Sequence, residues 1–343
     1  MTKISEIGGE QALIKRIEKK IKVNPNEVIL GIGDDAAVTR PPESGKNLVL
    51  TTDMLVENSH FSRATYTPEQ IGRKSAVSNI SDIAAMGATP KHMLISLAIP
   101  DDITVEFIDE LYDGIIKETE QHKINIIGGN ITGSPSGALI INAVIIGEID
   151  TEIRRSGARP GDILMVTGDL GKSGAGLYIL QHNPRISEES KKTLKTAHLE
   201  PQHRLKESHI LKRLNCITSM NDISDGLATE IKEICEASDV GAIIYRDLIP
   251  TSKATEELLK SIGKDTKETA LYAGEDYELL FTSKKENAKK IIETLKKETG
   301  TTATIIGKMT EEKKICLKDE NNTQELKKTG YDHFKENPFD YKK

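Results

Sequence analysis

Apolar residues recur at helical spacing from about Ser5 to Ile21, with Ile7, Leu13, Ile14, Ile17 and Ile21 on one side, which predicts an amphipathic helix. Two short apolar runs follow, Val28 to Ile32 and Leu48 to Thr52, and each leads into acid, GDD after the first and Asp53 after the second. Both are expected to be strands that hand over to loops at those acids, a common place for ligand groups. Thr67 before Pro68 marks a helix start, and Gly87 with Pro90 marks its end, so residues 68–87 are expected to be helical, with Asn79 and Asp82 on one face. Beyond it, His92 to Ile99 reads as a strand and Val105 to His122 as a helix. Ile124 to Ile127 reads as a strand stopping at Gly128 and Gly129, and Ala138 to Ile146 as a long strand. Turn formers crowd residues 154–162, RRSGARPGD, before a strand at Ile163 to Thr167. Helices then run to about Arg213, and strand and helix alternate to about Ile306. The pattern predicts an α/β (α+β) chain in two domains, 1–150 and 151–343, without a fixed-period repeat.

Composition narrows the class. A chain of 343 residues suits two domains, and 37% hydrophobic with 29% charged residues describes a globular protein. A net charge of -6 argues against a general nucleic-acid binder. The start, MTKISEIGGEQALIKRIEKK, has no apolar core of the signal-peptide kind. The most apolar stretch, Ala138 to Gly147, is much shorter than the roughly 20 residues of a spanning helix, so no membrane partner is expected. Cys216, Cys235 and Cys316 are odd in number and form no CxxC pair, which fits reduced thiols and a cytoplasmic location.

Candidate chemistry lies in five acidic motifs set among small residues: GIGDDAA at Asp34 and Asp35, TTD at Asp53, NISDIAAMGATP at Asp82, NDISDGLA at Asp222 and Asp225, and AGEDYELLF at Glu275 and Asp276. Small neighbours let a ligand or backbone come close, and hard oxygens without grouped His or Cys favour Mg²⁺ over zinc. Taken singly, an Asp more often serves a turn or a cap; Asp222 is well placed to cap the helix that follows it. Jointly they point further, because carboxylates brought within about 5 Å repel by roughly 3 kcal/mol at an effective dielectric near 20, and such a cluster needs cations. Asp34 and Asp276 are read as local structure.

Other motifs have plainer readings. Gly171-Lys172-Ser173 does not complete a phosphate loop, since Val166 stands where that pattern needs glycine, and a turn from strand to helix explains it. Arg154, Arg155 and Arg159 are either a solvated loop or a phosphate clamp. His60 has no nucleophile motif beside it, Tyr112 lies at core spacing with Ile108 and Ile115 or Ile116, and Tyr331 reads as a tail anchor.

In their order, GIGDDAA, TTDMLVENSHF, GRKSAVSNISDIAAMGATP, IIGGNIT, RRSGARPGD, VTGDLGKSGAGL, NDISDGLATE, AGEDYELLFT, IGKMT and GYDHF closely resemble the thiamine-monophosphate kinase family. The resemblance runs from about Gly31 to Phe334. The wider superfamily includes aminoimidazole ribonucleotide synthetase, selenophosphate synthetase and a hydrogenase maturation protein. It implies a homodimer whose N-terminal mixed-sheet domains pair through their sheets, ATP bound near the dimer interface, and a C-terminal α/β domain closing over it.

By the same resemblance, several Mg²⁺ ions fall to Asp35, Thr51, Thr52, Asp53, Asp82, Asp222 and Asp225. ATP, the co-substrate, falls to Tyr112, Gly129, Asn130, Arg155 and Ser224, and thiamine monophosphate to His60, Glu275 and Tyr331. Asp53, Asp82, Asp222 and Arg155 are the expected catalytic set. The family usually has Asp after the glycine pair, in GGDTT, whereas this chain has Asn130; a carbonyl ligand remains and a charge is lost, so one metal is expected to bind more weakly. Transfer to a phosphate monoester, largely dianionic near neutral pH because its second pKa is about 6, needs no general base. The rival readings are another ATP-dependent enzyme of the superfamily and a non-enzymatic binder of nucleotide or thiamine phosphate.

Overall fold

The structure, a computed structural model, describes residues 2–7, 10–32, 36–320, 322–328 and 330–331. It divides into two compact units, Met1–Ile83 with Ala88–Thr151, and Ala84–Gly87 with Glu152–Lys343.

The first unit carries α1 (Glu10–Glu18), β1 (Val28–Leu30), β2 (Val38–Thr39), β3 (Asn47–Val56), α2 (Pro68–Ala85), β4 (Thr89–Ile99), α3 (Val105–Gln121), β5 (Asn125–Gly133) and β6 (Ile140–Ile149). Its main sheet has the order β3-β6-β4-β5, with β4 and β5 parallel and the other pairs antiparallel. Ile141, Ala143 and Ile145 on β6 and Met93, Ile95 and Leu97 on β4 are buried on one face of the sheet. The opposite face of β3 is open: Leu48 is 51%, Leu50 61% and Met54 54% exposed. Two helices of this unit are joined by an ion pair, Arg73 on α2 to Glu118 on α3 at 3.0 Å, and Thr104 caps α3 by accepting from the Phe107 N–H.

The second unit carries β7 (Ile163–Thr167), α4 (Lys172–His182), α5 (Glu188–Leu199), α6 (Leu205–Leu214), β8 (Ile217–Asp222), α7 (Leu227–Ser238), β9 (Gly241–Tyr245), α8 (Lys253–Ser261), α9 (Glu268–Tyr272), β10 (Leu279–Ser283), α10 (Ala288–Thr299), β11 (Ala303–Thr310), β12 (Ile315–Lys318) and β13 (Thr323–Glu325). Its seven strands run β13-β12-β9-β11-β7-β10-β8. β7 and β10 are buried along their whole length, and they carry unbroken apolar runs, Ile163 to Val166 and Leu279 to Phe281, instead of alternating ones. β8 lies at a sheet edge, so its last residue, Asp222, emerges at a border of the sheet.

Several boundaries differ from the sequence expectation. The helix expected from Ser5 to Ile21 is a 3₁₀ turn at Ile4–Ile7 followed by α1. β3 runs on through Asp53 to Val56, so that acid is in mid-strand. β5 does not stop at the glycines: Gly128 and Gly129 pair with Leu94 and Ile95, after an irregularity at Met93/Leu94 that leaves Ile127 as the extra residue. A Cβ on Gly129 would lie 1.8 Å from the Ile95 carbonyl oxygen, so the glycine lets β5 close on β4.

Candidate active site

The first group of predicted residues gathers on β3 and α2. Thr51 and Asp53 are two apart on β3 and share its covered face. Thr51 Oγ1 donates to Asp82 Oδ2 at 2.6 Å, and the Asp53 backbone N–H donates to Asn79 Oδ1 at 3.1 Å. Asn79 is completely buried and returns its amide to the Ser75 carbonyl at 3.0 Å. The three-residue spacing of Asn79 and Asp82 thus docks α2 under β3 and holds two carboxylates near one strand. Burial pushes the Asp53 carboxyl above its ordinary range, opposed by a hydrogen bond from Ser78.

Alternation separates Thr52 from its neighbours. Its hydroxyl bonds the Ala143 carbonyl at 2.9 Å and Asn142 Oδ1 at 3.1 Å on the open face of the sheet. Pairing also fixes Asn130. Asp53, Ala143, Ile95 and Gly129 form one row across the sheet, and Met54, Asn142, Ser96 and Asn130 form the next. Asn130 therefore stands on the open face, three strand spacings or about 14 Å from β3. Within this chain it does not join Asp53 and Asp82.

Asp35 falls outside the described residues. His60 sits in the turn after β3, its Nδ1 accepting the Val56 N–H at 3.0 Å and its carbonyl accepting Nζ of the fully buried Lys74 at 2.6 Å. Tyr112 is buried on α3, and burial raises its phenol.

The second group is interlaced more tightly. The ladder of β8 and β10 continues past their ends: Ile223 N–H donates to the Glu278 carbonyl at 2.7 Å, Tyr277 N–H to Ile223 at 2.8 Å, and Glu275 N–H to Ser224 at 2.7 Å. On the other side, the Tyr331 N–H donates to the Asp225 carbonyl at 2.8 Å. A Cβ on Gly330 would lie 1.9 Å from that same oxygen. Asp222, Ser224, Asp225, Glu275 and Tyr331, far apart in sequence, thus converge on one loop.

Asp222 does not cap α7. The N-cap is Gly226, with no side-chain cap bond, so the cap expected of Asp222 is not formed. Glu230 takes up the helix start, its Oε1 accepting the Asp225 N–H at 3.0 Å and its Oε2 accepting Asn221 Nδ2 at 2.5 Å. Burial first, then Asp222, Glu233 and Asp225, drive the Glu230 carboxyl well above its ordinary range. Arg155 reaches this cluster, with Nε on Asn221 Oδ1 at 3.1 Å and Nη1 3.0 Å from Glu233 Oε2. Arg154 pairs with Glu152 instead. Sequence reasoning missed Asn221 and Glu230, although both lie inside NDISDGLATE, and missed Glu233, which has no local signal.

The Gly171-Lys172-Ser173 turn begins α4, and its N–H groups are engaged by Asp276: Gly171 N–H at 2.5 Å and Ser173 N–H at 3.3 Å. A carboxylate of the chain itself sits where a phosphate loop would hold its ligand. The Asp276 carboxyl is pushed up to about 7 by burial, against the pull of those two donors.

Each unit thus presents an oxygen-only donor set, Thr51, Asp53 and Asp82 in one, and Asp222, Asp225 and Glu230 in the other. Among the described residues no helix is long and apolar enough to cross a membrane.

The family model for the AIR synthase related protein N-terminal domain matches residues 33–149, and that for its C-terminal domain matches residues 159–320. Thiamine-monophosphate kinase of Bacillus subtilis (strain 168) is 37% identical over 325 residues, 91% of this chain and 96% of that protein. The crystal structure of thiamine-monophosphate kinase from Stenotrophomonas maltophilia K279a superposes with a TM-score of 0.79 at 30% identity, over 89% of this chain and 95% of that one. A structure of AaThiL complexed with AMPPCP and TMP superposes with a TM-score of 0.76 at 31% identity, over 97% of this chain and 99% of that one.

Proposed function

The chain belongs to the thiamine-monophosphate kinases among the AIR synthase related proteins, and from that membership we propose that it transfers the γ-phosphoryl group of ATP to thiamine monophosphate, giving thiamine diphosphate and ADP. It is a phosphotransferase of thiamine diphosphate biosynthesis. The observation that carries this reading is the near full-length likeness to AaThiL complexed with AMPPCP and TMP. The loop on which Asp222, Ser224, Asp225, Glu275 and Tyr331 converge supports it, because nucleotide and substrate motifs share one backbone support.

Mg²⁺ is the proposed metal, and the donors fit it. The Thr51–Asp82 pair with Asp53, and the crowded Asp222, Asp225 and Glu230, supply hard oxygens only, and the Glu230 carboxyl, raised first by burial and then by its acidic neighbours, is one whose charge a cation would favour. Asp35, Thr52 and Asn130 are proposed as further ligands, the last two on the open face of the sheet and apart from Asp53 and Asp82. When bound, Mg²⁺ neutralises phosphate charge and aligns donor and acceptor for in-line transfer. The side chains do the remaining work by positioning. Arg155, exposed beside Asn221 and Glu233, is the cation for the donor phosphates, and Gly129 and Ser224 offer backbone and hydroxyl groups. Glu275, His60 and Tyr331 are the contacts for thiamine monophosphate, through charge, hydrogen bonding and stacking respectively. No residue is needed to deprotonate the acceptor, which is already an anion.

A homodimer is part of the proposal. The open face of β3, with Leu48, Leu50 and Met54 exposed, is an apolar surface that a second copy would cover, and Thr52 and Asn130 share that face. A cytoplasmic location accords with the free thiols of Cys216, Cys235 and Cys316.

Incubation with ATP, Mg²⁺ and thiamine monophosphate, with products identified by mass, tests the reading. Thiamine diphosphate and ADP in equal amounts are expected. Absence of thiamine diphosphate across a wide Mg²⁺ range refutes it, and ADP release with aminoimidazole ribonucleotide precursor in place of thiamine monophosphate would assign the protein to another branch.

A further inference from the structure

Glu275 and Asp276 are consecutive acids held from two directions. Asp276 faces the start of α4, and Glu275 faces α5. The α5 group is His198, only 4% exposed, whose Nδ1 lies 3.0 Å from Ser173 Oγ and 3.6 Å from Glu275 Oε2. Ser173 is itself buried, and its backbone N–H donates to Asp276 Oδ1 at 3.3 Å. Ser173 therefore links both anchors: backbone to one carboxylate, hydroxyl to the imidazole beside the other.

The backbone here is uncommon. Glu275 has φ 66° and Tyr277 φ 50°, left-handed values that residues with a Cβ seldom adopt. Such conformations persist where surrounding contacts over-determine them, and they gather at binding sites. The Glu275 side chain is 26% exposed, so its carboxylate has a buried flank toward His198 and an open flank toward solvent. The buried imidazole lies between a hydroxyl and a carboxylate, an arrangement in which a polar network fixes the orientation of its members.

We propose that His198, anchored by Ser173, is a positioning residue that fixes the Glu275 carboxylate toward the cationic, aromatic half of thiamine monophosphate. This rests on the assignment of Glu275 to that substrate. It concerns substrate affinity alone, since the ATP contacts lie on other residues.

Steady-state kinetics on the full chain, with thermal melts as controls, tests it. His198→Leu should raise KM for thiamine monophosphate about tenfold, because the Glu275 carboxylate loses the imidazole neighbour at 3.6 Å that orients it, while KM for ATP and kcat stay within about twofold. His198→Asn places an amide N–H where Nδ1 stood and should recover most of the loss. Ser173→Ala, which removes the anchor without adding volume, should raise the same KM about threefold and keeps the test open where the leucine variant is unstable. In a Glu275→Gln background, His198→Leu should add less than about twofold. An unchanged KM for thiamine monophosphate, an equal rise in KM for ATP, no recovery by Asn, or full additivity with Glu275→Gln overturns the inference. Glu275→Gln alone separates the two layers. If it leaves KM unchanged, the substrate assignment of Glu275 falls; if it raises KM while His198→Leu and Ser173→Ala do not, only the positioning role falls.

Discussion

The backbone N–H of Glu275 donates to the carbonyl oxygen of Ser224 at 2.7 Å. This bond continues the β8–β10 ladder beyond its last strand pair, Asp222 with Leu279. Two motifs about fifty residues apart are therefore joined through their backbones.

Removing a single charge should stop turnover without unfolding the chain. Asp53→Asn keeps the shape of the side chain and removes a carboxylate that burial already disfavours. The expected kcat loss is at least about 10²-fold, typical for deleting one preorganised electrostatic group, with unchanged or higher melting temperature. Assay and thermal melt together check it; retention of most activity would remove Asp53 from the machinery.

Gly129→Ala should destabilise the first unit by about 3 kcal/mol or more, because the new methyl meets the Ile95 carbonyl at 1.8 Å and β5 must part from β4. Urea unfolding measures this, and a change under about 1 kcal/mol contradicts the geometry.

Asp276 makes stability depend on pH. Its folded carboxyl stands at about 7, above the ordinary 3.8, so the native state holds this proton more tightly than the unfolded chain. The stabilisation is complete below about pH 4 and is lost as pH rises through about 7. Asp276→Asn keeps an acceptor for the Gly171 and Ser173 N–H groups and should flatten the decline in melting temperature over that window. An identical slope in wild type and variant would rule out this source.

Asn130→Asp should restore an anionic ligand and lower the Mg²⁺ concentration for half-maximal rate, by about tenfold for one added carboxylate. A Mg²⁺ titration of the rate shows whether this holds; an unchanged midpoint would take Asn130 out of the metal site.

Leu50→Lys with Met54→Lys places two charges on the open face of β3, where both residues are now more than half exposed. Sedimentation should show a dimer for the wild type and a monomer for the double variant, because a charge buried without a partner costs several kcal/mol. A wild-type monomer at micromolar concentration would refute the proposed pairing.

Much of this was legible before any fold was known. α2 follows its capping and breaking residues to within two positions, and the Asn79–Asp82 spacing gives the face that meets β3. The same local rules failed where glycine was the signal. Gly128 and Gly129 read as a stop, yet they lie inside β5 because close approach to β4, not chain reversal, requires them there. Asp53 read as a loop acid, yet its strand continues because β6 offers ten partners to β3. His198 and Glu233 carry no local pattern, and only packing against Glu275 and Arg155 distinguishes them from surface residues.

What the sequence alone determined was the kind of chemistry and the family: hard oxygen donors among small residues, in an order shared with the thiamine-monophosphate kinases. Those are properties of residue type and spacing, which survive without coordinates. The tertiary structure decided which of those residues stand together. Strand alternation sends Thr51 and Asp53 to one face of the sheet and Thr52 and Asn130 to the other, and the extended β8–β10 ladder sets Ser224 beside Glu275. Such relations depend on register and on hydrogen bonds between distant segments, and a one-residue slip would reverse them while leaving every motif intact.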